Sequence, residues 1–257
     1  MKIVDAHCHL ESPELKDDLH KLLNDAYREG VVKIITSSVI IDEWYISKNI
    51  SKNFPEVEYT VGVHPWYVKD SHFDIYKKLG EFYTENRDLI AIGEIGLDKK
   101  IDSPPFYLQQ MIFEEQMKFA VDVNLPVIIH CRGAFNELAE SLKKVGMPKR
   151  GGIIHAFSGS VDIALTFIKK GISFSMGGAL TYKPSNKRIE TLKVIYPEHF
   201  LLETDSPDIP PVGTEKPNVP ANIILNLKGA EAIIGRSAEE IAEVTTKNAE
   251  RIFNLKI

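Results

Sequence analysis

The chain has 257 residues, 44% hydrophobic and 26% charged, and its 31 Lys and Arg against 36 Asp and Glu give a formal charge of −5. This composition excludes disordered, collagen-like and fibrous classes, and a chain of this length can bury a core without a disulfide framework. The acidic balance excludes a protein that coats nucleic acid through overall positive charge, though not a local basic patch, and leaves an enzyme as the leading class.

Asp5 and His7 interrupt the stretch in which a secretory signal would need its apolar segment. No run reaches the ~18–20 apolar residues of a membrane span. The two cysteines, Cys8 and Cys131, are too few for a disulfide scaffold. The expectation is a reduced, cytoplasmic protein with no membrane or obligatory protein partner.

Short β-rich runs alternate with helical patterns. Strands are predicted at 2–6, 32–36, 58–63, 89–95, 126–129, 152–154, 172–175 and 200–204. The runs VKIIT, LIAIGEI and PVIIH are apolar on both faces, as buried parallel strands are. Helical spacing covers 15–28, stopped by Gly30, then 107–123 and 134–145, and finally 221–234 and 237–253, where Ser237 and Glu240 read as a capping box. Residues 207–220 hold five prolines and read as a stiff loop after the last strand. Eight strand–helix units in about 250 residues predict an α/β fold, one (β/α)8 barrel spanning 1–257 as a single domain. An open doubly wound sheet fits less well, because no G-x-G-x-x-G follows the first strand.

Five of the eight histidines fall at or just beyond predicted strand ends: His7 and His9, His64, His130 and His155. Glu94 ends the fourth strand and Asp205 the eighth. In a barrel these ends converge on one face, so residues 200 positions apart would meet in one pocket. Alternation puts Asp5, His7 and His9 on one face, His130 with Arg132, and Glu203 with Asp205, leaving Cys8 and Cys131 behind as buried small apolar residues. One histidine at a strand end is ordinary. The whole set on one edge is a ligand set for divalent transition metals. His20, His72 and His199 lie away from that edge and read as surface residues, and the Lys/Glu-rich stretches 77–81 and 239–243 read as exposed helix faces.

Six motifs in order, D-A-H-C-H-L at 5–10, G-V-H-P at 62–65, I-G-E-I-G-L-D at 92–98, L-P-V-I-I-H-C-R at 125–132, H-A-F-S-G at 155–159 and L-E-T-D-S-P at 202–207, resemble the TatD family of metal-dependent hydrolases from end to end. The Gln110, Phe113 and Gln116 helix and the stretch 174–177 resemble it too. The resemblance implies a distorted TIM barrel with a two-metal site. It implies that His7, His9 and Asp205 hold one metal, that His130 and His155 hold the other, and that Glu94 bridges them. It also implies DNA phosphodiester hydrolysis, typically from the 3′ end; a tRNA-editing deacylase activity has been attributed to relatives. The chain departs from the family at 213–220, where an Arg-Asn-Glu-Pro motif is replaced: Asn218 and Pro220 remain, while Pro217 and Val219 stand at the Arg and Glu positions. Lys216 supplies part of the missing charge without a guanidinium fork. The departure bears on substrate binding more than on metal chemistry.

Two divalent metals can clamp a phosphodiester and activate water, and a carboxylate such as Glu94 has two oxygens with which to bridge them. Asp205 is expected to act as general base, Glu203 and Asp5 to orient ligands from behind, and His64 and Arg132 to contact the DNA or small phosphodiester substrate. Gly177 and Gly178 lie where barrels often cradle phosphate. The donors suit Zn²⁺ or Mn²⁺, while nuclease relatives are associated with Mg²⁺. Hydrolysis of an amide, lactone or ester, including aminoacyl-tRNA deacylation, is the alternative. A bridging Lys at the fourth strand would favour it, and Glu94 stands there instead. A non-catalytic metal-binding protein is the remote third reading.

Overall fold

The computed structural model describes residues 1–183 and 185–257. Among the described residues, eight strands form one sheet in chain order: β1 (Ile3–Cys8), β2 (Val31–Ser38), β3 (Val57–Val61), β4 (Ala91–Asp98), β5 (Val127–Arg132), β6 (Gly152–Ile154), β7 (Ile172–Met176) and β8 (Phe200–Leu202). Every neighbouring pair is parallel. The helices between and after them are α1 (Leu19–Arg28), α2 (Trp44–Asn53), α3 (Ile75–Glu85), α4 (Phe106–Val123), α5 (Phe135–Val145), α6 (Val161–Ile168), α7 (Asn186–Ile195), α8 (Ile223–Ile234) and α9 (Ala238–Phe253). This is the expected (β/α)8 barrel. No described helix is long and apolar enough to cross a membrane.

The barrel closes through residues beyond the short β8. The Asp205 amide donates to the His7 carbonyl (3.0 Å) and the His9 amide to the Ser206 carbonyl (2.7 Å). The buried Asp5 carboxylate fills the seam, accepting from the Thr204 amide (2.9 Å) and hydroxyl (2.5 Å). A side chain thus replaces ladder bonds that a three-residue strand is too short to supply.

Val4, Ala6, Ile35, Ala91, Ile128, Ile153 and Leu201 fill the barrel interior, and Ala249, Ile252 and Phe253 of α9 plug its lower end. The other apolar strand residues, such as Ile3, Ile34, Tyr59, Ile129 and Phe174, face the helices and build the larger outer core. The interior layer is packed, so the main cavity lies at the opposite, C-terminal end of the strands.

Two breaks in the ladders shape that end. The β1–β2 register shifts between Asp5 and Cys8, and the β4–β5 register between Ile92 and Ile95. Val4 and Ala6 face inward, yet His7 does too, because the irregularity inserts a residue into the alternation. Asp5 therefore does not share the pocket face with His7 and His9, as simple alternation predicts. Glu94 sits within β4 rather than at its end, beside Gly93, where an added Cβ would lie 2.7 Å from Ile128 Cβ.

Further differences have local causes. The 15–28 pattern divides into a 3-10 turn at Lys16–Asp18 and α1. Helices α2, α3, α6 and α7 span eight to eleven residues, too few turns for a clear apolar period. Gly178 serves packing: a Cβ there would lie 2.0 Å from the Ile209 carbonyl oxygen, so the residue lets the 207–220 loop approach the turn after β7.

Candidate metal centre

Glu94 is the hub of a buried cluster. Its Oε1 faces His155 Nε2 (2.8 Å), His64 Nε2 (3.2 Å) and His130 Nδ1 (3.2 Å). Its Oε2 faces His7 Nε2 (3.4 Å) and His9 Nε2 (3.5 Å). Asp205 Oδ1 lies on the same side as Oε2, 3.4 Å from His7 Nε2 and 3.6 Å from His9 Nε2, and 3.9 Å from His155 Nδ1. The residues predicted at strand ends therefore meet, divided between the two oxygens of one carboxylate. All of them but the fully buried His7 line a cavity of about 620 Å³ that opens at the barrel top.

The hydrogen bonds behind each ring decide which nitrogen carries a lone pair. His9 Nδ1 lies 2.8 Å from the Ser37 carbonyl, which only accepts, so Nδ1 holds the proton and Nε2 is free. His7 Nδ1 meets the Ser37 hydroxyl (3.1 Å), which meets the Thr60 hydroxyl (3.0 Å), which donates to the Gly93 carbonyl (2.7 Å). The carbonyl at the end of this relay fixes its direction, so His7 also points a lone pair from Nε2 at the two carboxylates. His130 donates Nε2–H to Asp98 (3.1 Å) and turns Nδ1 toward Glu94. Such partners hold ligating imidazoles in one tautomer.

His64 is wired the other way. Its Nδ1 accepts from the Trp66 amide (3.1 Å), so the proton sits on Nε2 and the ring is a donor. His64, Glu94 and His130 have ligand atoms within 4.8 Å of one another, but this tautomer sets His64 apart from the residues that could hold a cation. The groups His7, His9, Glu94 and His7, His155, Asp205 carry no such conflict.

A cation fits what the cluster lacks. His7 Nε2 and His155 Nδ1 are buried with no hydrogen-bond partner, although carboxylate oxygens stand close. The electrostatics agree. Burial opposes charge on His7, but the carboxylates of Asp205 and Glu94, each 3.4 Å from Nε2, outweigh it and hold the imidazole at about 9. For His130 burial is likewise outweighed, by Asp98 and Glu94, again to about 9. Burial, with the neighbouring imidazoles His130 and His155 adding to it, outweighs Glu94 and pushes His64 down to about 4. Glu94 and Asp205, buried as they are, stay well below the carboxylate range because imidazoles surround them. Without a cation, protons fill the demand for positive charge.

Cation binding must displace those protons. Since the raised groups are protonated below about 9, affinity is expected to strengthen as pH rises from 6 toward that value, by about tenfold per unit for each proton released. Calorimetry in buffers of different ionisation enthalpy reads the proton count directly; pH-independent affinity with no proton release would contradict it.

The supporting residues surround the cluster on several elements. Asp98, which motif reading left without a role, binds Trp66 Nε1–H (2.7 Å), His130 and Arg132 Nε–H (2.9 Å) together. Glu11, also missed, stands 3.4 Å from His9 Nδ1 and accepts from Thr36. Glu203 does not touch a ligand ring; it accepts from the Ala156 amide (2.7 Å), next to His155, and from the Ser175 hydroxyl. Burial raises its carboxyl to about 8. Asp5 acts on the backbone beside Asp205 rather than on an imidazole. On α4, Gln116 clamps both the amide and the carbonyl of Val63, and Gln109 holds the Asp98 amide, so one helix positions two of these loops. The loop residue Asn218 donates to the Thr204 carbonyl (2.8 Å) and so pins the approach to Asp205. Lys216 is tied to Asp208 on the rim. Both cysteines are buried, as expected.

Asp98→Asn replaces the acceptor behind His130 with an amide. Metal affinity is expected to fall about 10- to 100-fold, measured by competition with a chelating dye; unchanged affinity would separate Asp98 from the centre.

The family profile described as TatD related DNase matches residues 4–254. The chain belongs to the TatD family. It is 32% identical to the uncharacterized metal-dependent hydrolase YjjV of Escherichia coli K12, over 99% of this chain and 98% of that protein. YabD of Bacillus subtilis, of the same description, is 31% identical over 98% and 99%. A Danio rerio relative, tatdn3, named provisionally as a deoxyribonuclease, is 30% identical over 99% and 98%. The crystal structure of YjjV superposes with a TM-score of 0.91, covering 99% of this chain and 98% of that one at 31% identity. The TatD fold and metal-dependent hydrolase class follow for this chain.

Proposed function

We propose that this TatD protein is a phosphodiesterase acting on DNA ends, of the 3′ exonuclease type, with a pair of divalent cations at Glu94. The observation that carries the reading is the division of the imidazoles between Glu94 Oε1 and Oε2, with Asp205 completing the Oε2 side. The profile description and the tatdn3 name supply the nucleic-acid class. Bound cations at such a centre polarise a phosphoryl oxygen and make water a stronger acid. Imidazoles and carboxylates together suit Zn²⁺ or Mn²⁺, with Mg²⁺ as the alternative in assays.

The chain's own groups supply the rest. Asp205 turns Oδ1 toward three imidazoles, which leaves Oδ2 to take the proton of the attacking water. The surrounding imidazoles hold its carboxyl below the usual carboxylate range, in the ionised form a proton acceptor needs. His64, neutral and protonated on Nε2, can turn that donor to charge building on a phosphoryl oxygen. Arg132 spends Nε on Asp98 and keeps its outer donors for an anionic oxygen.

The test is a substrate panel: single-stranded DNA labelled at either end, RNA, aminoacyl-tRNA and simple amides and lactones, each with Mg²⁺, Mn²⁺ or Zn²⁺. Stepwise loss of nucleotides from the 3′ end is the expected result. Cleavage of an amide, lactone or aminoacyl ester with no phosphodiester cut would overturn the assignment.

A further inference from the structure

Two large aromatic rings stand half-exposed at the mouth of the cavity. Trp66 and Tyr67 lie in the 3-10 turn Pro65–Tyr67 that follows His64, line the cavity, and remain 44% and 43% exposed. Trp66 is nonetheless held in place. Its indole N–H is bound by Asp98 (2.7 Å), its ring meets His64 edge-on with centroids 5.1 Å apart, and the Arg132 guanidinium carbon lies 5.5 Å from its centroid. The ring is ordered before any ligand arrives, so binding against it costs little further entropy.

The charges around the mouth are unevenly divided. Loops after β1 and β2 bring Glu14 and Glu43 to the cavity, and the loop after β8 brings Asp208 and Lys216, which neutralise each other. The turn after β3 and the end of β5 bring Trp66, Tyr67 and Arg132. A chain of phosphates crossing the acidic arc would be repelled. An uncharged flat ring fits the aromatic arc, and a phosphate can lie between it and Glu94, since His64 touches both Glu94 and Trp66.

Building on the phosphodiesterase reading, we propose that Trp66 and Tyr67 form a stacking seat for one nucleobase, that of the terminal nucleotide whose phosphodiester lies at Glu94. The site then holds a single nucleotide firmly and the rest of the strand weakly. Stacking is indifferent to base identity, so the seat confers selection for a nucleotide end and little sequence preference.

The experiment pairs a short single-stranded oligodeoxynucleotide with the same strand ending in an abasic tetrahydrofuran residue, both with Mn²⁺. The wild-type protein is expected to favour the intact strand in kcat/KM by about 10- to 100-fold, the worth of one stacked base. Trp66→Leu and Tyr67→Leu should each shrink that ratio toward one, and Trp66→Phe should keep most of it. A parallel measurement follows thymidine 5′-monophosphate binding by calorimetry, and in the wild type by tryptophan fluorescence, which reports on Trp66 because the other tryptophan, Trp44, is buried. Equal ratios in all four proteins, or nucleotide binding indifferent to both Leu substitutions, would overturn the seat while strand cleavage continued to support the phosphodiesterase reading. If no strand is cleaved but nucleotide binding weakens in both Leu variants, the seat stands and the phosphodiesterase reading falls.

Discussion

Glu94→Gln is expected to lower kcat on a phosphodiester by at least about 10³-fold, or about 4 kcal/mol of transition-state stabilisation, and to reduce the metal bound per chain from two ions to one or none. The size follows from position. Four imidazoles and the donor of His64 converge on its two oxygens, and an amide keeps the shape while removing the charge and one acceptor. The fold should survive, because the packed interior from Val4 to Leu201 lies below the cluster. A variant that folds, binds two ions and turns over normally would exclude Glu94 as the bridge. Steady-state kinetics and metal analysis on the same preparation separate these outcomes.

Asp205→Asn is expected to reduce kcat by about 10²- to 10⁴-fold with a smaller effect on KM. The substitution removes the carboxylate beside His7 and His9 and, on the proposed mechanism, the acceptor for the proton of the attacking water. The backbone should hold its position. Asp205 has φ of +55°, a region Asn tolerates as readily as Asp, and its amide bond to the His7 carbonyl does not involve the side chain. The imidazoles that stay with Glu94 Oε1 should still bind one cation in this variant. Near-normal kcat would show that the proton leaves by another route.

The chain's motifs carry the architecture and the cluster because barrel topology brings strand ends together from anywhere in the sequence. His130 and His155 are legible from alternation alone: Ile128 and Ile153 point into the barrel, and two residues later so do the histidines. His7 and Glu94 are inward for a different reason, the register breaks in β1 and β4, and alternation through those breaks misplaces Asp5. The groups that fix the tautomers leave little trace in the sequence. Ser37 and Thr60 are ordinary strand residues until the fold lays them in a relay behind His7. Asp98 had a signal, its place at the end of β4, but its role depends on His130 and Arg132 of β5 and on Trp66 of the turn after β3 arriving beside it. Asn218 reads as a remnant of a substrate loop, and instead it ties the 207–220 segment to Thr204.

At the centre of the proposed function, Glu94 would divide the site into two cation positions, one with His7, His9 and Asp205 and one with His130 and His155. Crystals grown with Mn²⁺ and measured at the manganese absorption edge test it most directly. Two anomalous peaks flanking the Glu94 carboxylate, one on each oxygen, are the predicted result. A single peak, or a second that lies away from His130 and His155, would contradict it.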